Sequence, residues 1–86
     1  MKNHDSKFRI PQSAFRIGMI GAGNMGQALL GGLRRQGVPA SRLCVVETNA
    51  ERASMALRRF AVESVSMERL AQRCHVVIIA VKPQDL

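Results

Sequence analysis

A glycine-rich stretch between an apolar segment and a helix-forming segment most constrains the fold of this chain. The sequence FRIGMIGAGNMG runs from Phe15 to Gly26 and contains Gly21, Gly23 and Gly26 at the spacing G-x-G-x-x-G. In a strand–loop–helix unit, the first glycine allows a tight turn, the second lets a pyrophosphate approach the backbone, and the third lets helix and strand pack closely. The N–H groups at the helix N-terminus attract an anion without any basic side chain. The stretch predicts a dinucleotide-binding loop, with a purely structural turn as the alternative.

Strand and helix signals alternate along the rest of the chain. After the loop, apolar spacing predicts a helix that ends at Gly37, with an inner face formed by Met25, Ala28, Leu29, Gly32, Leu33 and Gln36. We then predict a strand at 43–46, a helix at about 49–60 with a capping box that begins at Thr48, a weak strand at 62–65, a short helix at 66–73 and a strong strand at 76–81.

This order of elements, with short connections, indicates an α/β fold. It predicts a doubly wound parallel sheet with helices on both faces, of which the chain supplies the first half plus the fourth strand only. The domain would occupy residues 15–86, and the polar residues 1–14 would form a flexible N-terminal tail.

The charge of the chain favours a polyanionic partner. Thirteen Lys and Arg residues against six Asp and Glu residues give a formal net charge of +7, which suits a phosphate-bearing cofactor or a nucleic acid. The basic residues are dispersed, however, and only Arg34-Arg35 and Arg58-Arg59 are adjacent. Aromatic residues make up 3% of the chain, so no stacking platform for single strands accompanies them. We therefore expect solvated helix faces and no nucleic-acid partner.

The sequence gives little support for a metal site, a membrane-spanning segment or a catalytic side chain. Cys44 and Cys74 stand apart with no further metal ligands in view, and we interpret them as buried free thiols. No apolar run approaches about 18 residues and no signal peptide is evident, so we expect a cytoplasmic protein without a membrane partner. No nucleophile–base pair and no paired carboxylates occur, so we predict no catalytic side chain; a dinucleotide would itself carry the chemistry.

Two charged residues stand where strands of the predicted sheet end. Glu47 lies 26 residues after Gly21, where dinucleotide folds place the acid that meets the adenosine ribose. A carboxylate there favours NAD and repels the phosphate of NADP, whereas Thr48, Asn49 and Arg52 are able to donate to that phosphate. These residues leave the choice of cofactor open. Lys82 lies at the C-terminal edge of the sheet, where open α/β sheets bind ligands. For both residues, an ordinary solvated charge is the alternative.

Three sequence blocks together resemble the N-terminal part of pyrroline-5-carboxylate reductases, which have a Rossmann-type fold. They are IGAGNMGQALLGGL at residues 20–33, ETNAER at 47–52 and AVKPQDL at 80–86. Members of this family reduce Δ1-pyrroline-5-carboxylate to L-proline with NADPH or NADH, and the resemblance favours NADP over NAD here. It implies a cofactor site formed around the pyrophosphate by Ile20, Gly21, Ala22, Gly23, Asn24, Met25 and Gly26, around the adenosine ribose by Glu47, Thr48 and Asn49, and around the nicotinamide by Ala80, Val81, Lys82 and Pro83.

The resemblance also implies partners that this sequence does not supply. In the family, a helical C-terminal domain builds the homo-oligomer and the pocket for the imino-acid substrate, and the 86 residues contain no counterpart of it. We therefore expect a truncated cofactor-binding domain that is inactive alone. A freestanding NAD(P)-binding module of another oxidoreductase or sensor is the alternative. The chain departs from the family pattern at His75, where an acid is common, and at Met67, where an asparagine near the adenine is common.

Overall fold

The computed structural model describes residues 15–81, which form three strands and three α-helices. Their order and bounds are β1 Ile17–Ile20, α1 Asn24–Arg35, a 3-10 turn Ala40–Arg42, β2 Leu43–Val46, α2 Ala50–Phe60, α3 Met67–Arg73 and β3 Val76–Ile79. The predicted α/β class is confirmed. The predicted tail at residues 1–14 lies outside the described residues.

The three strands form one parallel sheet in the order β2-β1-β3. Gly18 on the central strand pairs with Cys44 on one side and Val77 on the other. Because all three strands run in the same direction, their C-terminal ends meet at one edge, where the loop before α1 also begins. This is the edge at which open α/β sheets bind ligands.

The weak strand that the sequence predicts at residues 62–65 is not formed as a strand. Only Ser64 makes an isolated parallel bridge, to Val45. The backbone of Val45 donates to the Glu63 carbonyl at 3.0 Å and accepts from the Val65 N–H at 2.7 Å, so the segment lies beside β2 without extending along it. Val62 is fully buried and fills the core, and the chain turns into α3 directly after Val65.

The inner face of α1 differs from the predicted one. Its buried residues are Gly26, Gln27, Leu30 and Gly31, whereas Met25 and Leu29 are 59% and 38% exposed. The reason is that the glycines let the helix backbone approach its neighbours. A Cβ at Gly26 would overlap the Gly21 carbonyl oxygen, and one at Gly31 would lie 3.3 Å from the Phe60 ring. Small residues therefore face inward, and Gly31 lies against Phe60 at the end of α2.

The ends of the helices follow local capping rules. Gly37 adopts φ +96° directly after α1, as its position predicts. The N-cap of α2 is Asn49, whose side chain accepts from the Arg52 N–H at 3.0 Å, and the predicted capping box at Thr48 is not formed. Ser66 caps α3 in the same way by accepting from the Arg69 N–H.

The edge strand β3 exposes apolar side chains. Val76, Val77 and Ile79 are 39%, 45% and 62% exposed, whereas Met19 on β1 and Val45 on β2 are essentially buried. The core of the described residues therefore lies between β1, β2, α1 and α2. Within residues 15–81, no helix combines the length and hydrophobicity that crossing a membrane requires.

Candidate functional site

The glycine loop joins β1 to α1 in a conformation that leaves the helix N-terminus uncapped. Gly21 adopts φ +100°, which favours glycine, and its N–H donates to the Val46 carbonyl at 2.9 Å. This bond ties the loop to the end of β2. Gly23 is the N-cap of α1 and has no side chain to bond the first turn, which also contains no acidic residue. The first N–H groups of α1 and its partial positive charge are thus available to an anion.

A cleft with a volume of about 430 Å³ lies beside this loop. That volume falls within the range of roughly 300–1,000 Å³ typical of small-molecule and cofactor sites. A Cβ built at Gly23 meets no atom within 4 Å, so the space in front of the loop backbone is open. The cleft is lined by Gly21, Gly23, Asn24, Met25, Gln27, Glu47, Glu51, Arg52, Met55 and Val81.

The half-buried Glu47 bridges the glycine loop and the turn after β2. Its Oε1 accepts from the Ala22 N–H at 2.7 Å, and its Oε2 accepts from the Asn49 N–H at 2.9 Å. Glu47 lines the cleft, and both of its carboxylate oxygens already accept from backbone N–H groups. A ligand that meets Glu47 either shares these bonds or displaces them.

The turn after β2 contributes less of the cleft than the sequence predicts. Thr48 is exposed and does not line the cleft, and the Oδ1 of Asn49 is engaged in capping α2. Arg52, one turn into α2, does line the cleft. It provides a charge-assisted donor opposite the N-terminus of α1, on the side where Glu47 lies.

Ile20, Ala22, Gly26 and Ala80, which the sequence also assigns to the site, lie behind the cleft and do not line it. Ala22 and Ala80 are buried in the core, Ile20 accepts from the Ala80 N–H at 2.8 Å, and Gly26 packs on the Gly21 carbonyl. Val81 reaches the cleft, but Lys82 and Pro83 lie outside the described residues. Among residues 15–81, no three His, Cys, Asp or Glu side chains come together to hold a metal ion.

The sequence analysis did not identify Gln27, whose side chain holds the backbone of the glycine loop through a hydrogen bond to Ala22. This side chain is only 8% exposed. Its Nε2 donates to the Ala22 carbonyl at 3.1 Å, and its Oε1 accepts from the Arg59 guanidinium at 2.9 Å. One signal was available: a glutamine directly after the third glycine of the motif stands on the same face of α1 as Leu30 and Gly31.

Replacing Gln27 by leucine is expected to destabilise the protein by about 1–3 kcal/mol, because the Ala22 carbonyl and the Arg59 guanidinium both lose a buried partner. Urea unfolding monitored by circular dichroism measures the change. Gln72→Leu on the exposed face of α3 is the matched control and should stay within about 0.5 kcal/mol of the parent. Equal effects of the two substitutions would show that Gln27 does not brace the loop.

Comparison with known sequences relates most of the chain to oxidoreductases. The family model described as "NADP oxidoreductase coenzyme F420-dependent" matches residues 16–86. A pyrroline-5-carboxylate reductase of Pseudomonas aeruginosa is 43% identical over 72 residues, which are 83% of this chain and 26% of that protein. Another from Arabidopsis thaliana is 37% identical over 78 residues, covering 87% of this chain and 28% of that protein. The chain thus spans about a quarter of the length of these relatives.

A solved structure supports the same relationship. The structure of a pyrroline-5-carboxylate reductase from Coxiella burnetii matches with a TM-score of 0.74 and 29% identity, over 84% of this chain and 27% of that one. The fold and the resemblance that the three sequence blocks indicate are both confirmed.

Proposed function

The chain belongs to the family described as "NADP oxidoreductase coenzyme F420-dependent", and on that premise we propose that it is the dinucleotide-binding part of a pyrroline-5-carboxylate reductase. The observation that carries the proposal is the uncapped N-terminus of α1 at an open glycine loop. The N–H groups of this turn would hold the pyrophosphate, and Glu47 and Arg52 would hold the adenosine ribose. When bound, the nicotinamide supplies the hydride; the residues of this chain hold and orient it.

The complete protein, in this proposal, reduces Δ1-pyrroline-5-carboxylate to L-proline. The names of the relatives support that reaction. The exposed apolar side chains of β3 indicate that this strand is a central strand of a larger sheet. In a doubly wound sheet the central strands are covered on both faces, so we propose that the sheet of the complete protein continues beyond β3. We further propose that the imino-acid pocket and the homo-oligomer interface lie outside residues 1–86, and that the protein is cytoplasmic.

Calorimetric titration of the chain with NADPH and with NADH tests the binding proposal. We expect saturable binding of one dinucleotide per chain, and loss of that binding on Gly23→Val as argued below. A control titration with duplex DNA tests whether the net charge of +7 makes the chain bind nucleic acid. Binding of DNA that weakens steeply with salt, together with no binding of either dinucleotide, would replace the proposal with a nucleic-acid function.

Cofactor preference is the finer part of the proposal, and we assign it to NADP. A 2′-phosphate brought next to the Glu47 carboxylate meets a like charge, and each unit pair at ~4 Å is worth about 4 kcal/mol at an effective dielectric near 20. Glu47 must therefore give up the Ala22 N–H and turn away, which leaves Arg52 to face the phosphate.

On this basis, Glu47→Ser should raise the ratio of NADPH affinity to NADH affinity by about tenfold, since it removes the repelling charge. Arg52→Ala should lower the same ratio, since it removes a phosphate donor. Titration of each variant with both dinucleotides measures the ratio, and Glu68→Ser on α3, away from the cleft, is the control. If both Glu47→Ser and Arg52→Ala leave the ratio within about twofold of the parent, the turn after β2 does not read the ribose.

A further inference from the structure

The two cysteines, far apart in sequence, meet in the fold. Cys44 is the second residue of β2, and Cys74 is the C-cap of α3. Their sulfur atoms are 3.2 Å apart and form an S–H···S contact, although both thiols are free. The sequence predicts buried free thiols: both thiols are free and Cys44 is buried, whereas Cys74 is only half-buried.

The central strand makes room for the pair. Gly18 on β1 pairs with Cys44 across the ladder. A Cβ built at Gly18 would lie 2.9 Å from the Cys74 sulfur and 2.6 Å from Cγ of Leu70. Any side chain on Gly18 would therefore push α3 and Cys74 away, so the sulfurs meet because this position is a glycine.

A cavity of about 140 Å³ lies beside the cysteine pair at the N-terminal edge of the sheet. Both cysteines line it together with Arg16, Arg42 and Arg73. Cys44 is buried, with 8% of its surface exposed, whereas Cys74 is half-buried. Glu63 also lines the cavity, so three arginines against one acid give it a net positive charge, which attracts anionic thiol reagents.

We propose that Cys44 and Cys74 are a modification site that forms an intramolecular disulfide with anionic low-molecular-weight disulfides, such as oxidised glutathione. The site lies at the opposite edge of the sheet from the dinucleotide cleft and does not depend on the function proposed above. The bond ties β2 to the junction of α3 and β3. Its formation requires the sulfurs to close from 3.2 Å to about 2.05 Å.

The order of attack follows from the surroundings of the two thiols. Burial, with the neighbouring Cys74, raises the pKa of Cys44 to about 12 and keeps it protonated at neutral pH. The accessible Cys74 therefore attacks first: its thiolate bonds one reagent sulfur, the reagent S–S bond breaks, and one glutathione thiolate leaves. Cys44 then passes its proton to a departing thiolate and bonds the Cys74 sulfur, which releases the second glutathione. The reagent is reduced by two electrons to two thiols, and the cysteine pair is oxidised to a disulfide.

Incubation of the chain with a graded glutathione redox buffer, under native conditions and in guanidinium chloride, tests the proposal by mass spectrometry. We expect the native chain to lose the mass of two hydrogen atoms without a lasting adduct. The equilibrium constant for oxidation of the native chain should exceed that of the denatured chain about 100-fold. The reason is thermodynamic linkage: if the disulfide stabilises the folded state by a given free energy, folding favours formation of the disulfide by the same free energy. A cooperative unfolding transition in urea, measured before the incubation, shows that the native sample is folded.

Single substitutions separate the roles of the two thiols. Native Cys44→Ser should accumulate one glutathione adduct on Cys74, and native Cys74→Ser should remain unmodified until it is denatured. Equal oxidation constants in the native and denatured chains would overturn the proposal, as would a disulfide that joins two chains. Equal reactivity of the two single variants would overturn the assignment of Cys74 as the attacking thiol.

Discussion

Replacing Gly23 by valine is expected to weaken NADPH binding by about 100-fold or more while the fold persists. The free chain tolerates the substitution because Gly23 has φ −77° and ψ −158°, a conformation open to any residue, and a Cβ there meets no atom within 4 Å. The bound pyrophosphate does not tolerate it, because the branched side chain occupies the space in front of the N–H groups of α1. Loss of two charge-assisted hydrogen bonds, at about 1.5 kcal/mol or more each, accounts for the factor.

Titration calorimetry measures the affinity, and circular dichroism reports the fold. A valine is a poorer N-cap than glycine, so a loss of about 1 kcal/mol in the free energy of unfolding is expected as well. Gly32→Val is the matched control: its position on α1 is open and does not line the cleft, so the affinity should stay that of the parent. An unchanged NADPH affinity in Gly23→Val would remove the glycine loop from the binding site.

Replacing Gly26 by alanine is expected to destabilise the protein by about 3 kcal/mol, the largest effect on stability that we predict for a single methyl group. The added Cβ would overlap the Gly21 carbonyl oxygen, which is backbone and is held in place because the Gly21 N–H bonds Val46. The helix and the strand must move apart. For a domain of this size, the expected fall in Tm is roughly 12–24 °C.

The same substitution at Gly32, the residue next to the buried Gly31, serves as a control with the opposite sign. Gly32→Ala on the same helix places its Cβ in open space, with the Arg35 side chain 4.0 Å away as its nearest neighbour. Alanine favours the helix over glycine by up to about 1 kcal/mol, so this variant should be slightly more stable than the parent. Thermal unfolding of Gly26→Ala and Gly32→Ala, each compared with the parent, measures both changes in stability. A Gly26→Ala protein as stable as the parent would show that the third glycine is not required for packing.

The glycine loop and the strands around it were predictable because their signals are local. The G-x-G-x-x-G spacing and the apolar runs at residues 43–46 and 76–81 depend on neighbours within a few residues. The strands β1, β2 and β3 lie within these patterns, and β3 ends at Ile79, two residues before the predicted end. The inner face of α1 was not predictable in this way. Amphipathic spacing selects large apolar residues, whereas Gly26 and Gly31 face inward because their backbone needs to approach other elements.

The amino-acid sequence by itself therefore determined the α/β class, the order of the elements apart from the strand expected at 62–65, the glycine loop and the position of Glu47 at the end of β2. The tertiary structure alone decided what the polar and thiol groups bond. Both Glu47 oxygens hold backbone N–H groups, Gln27 holds the Ala22 carbonyl, and Cys44 meets Cys74 across Gly18. The physical reason is the separation of the bonded groups along the chain. Such contacts depend on strand register and on how closely the helices approach the sheet, and no local sequence pattern encodes either of these.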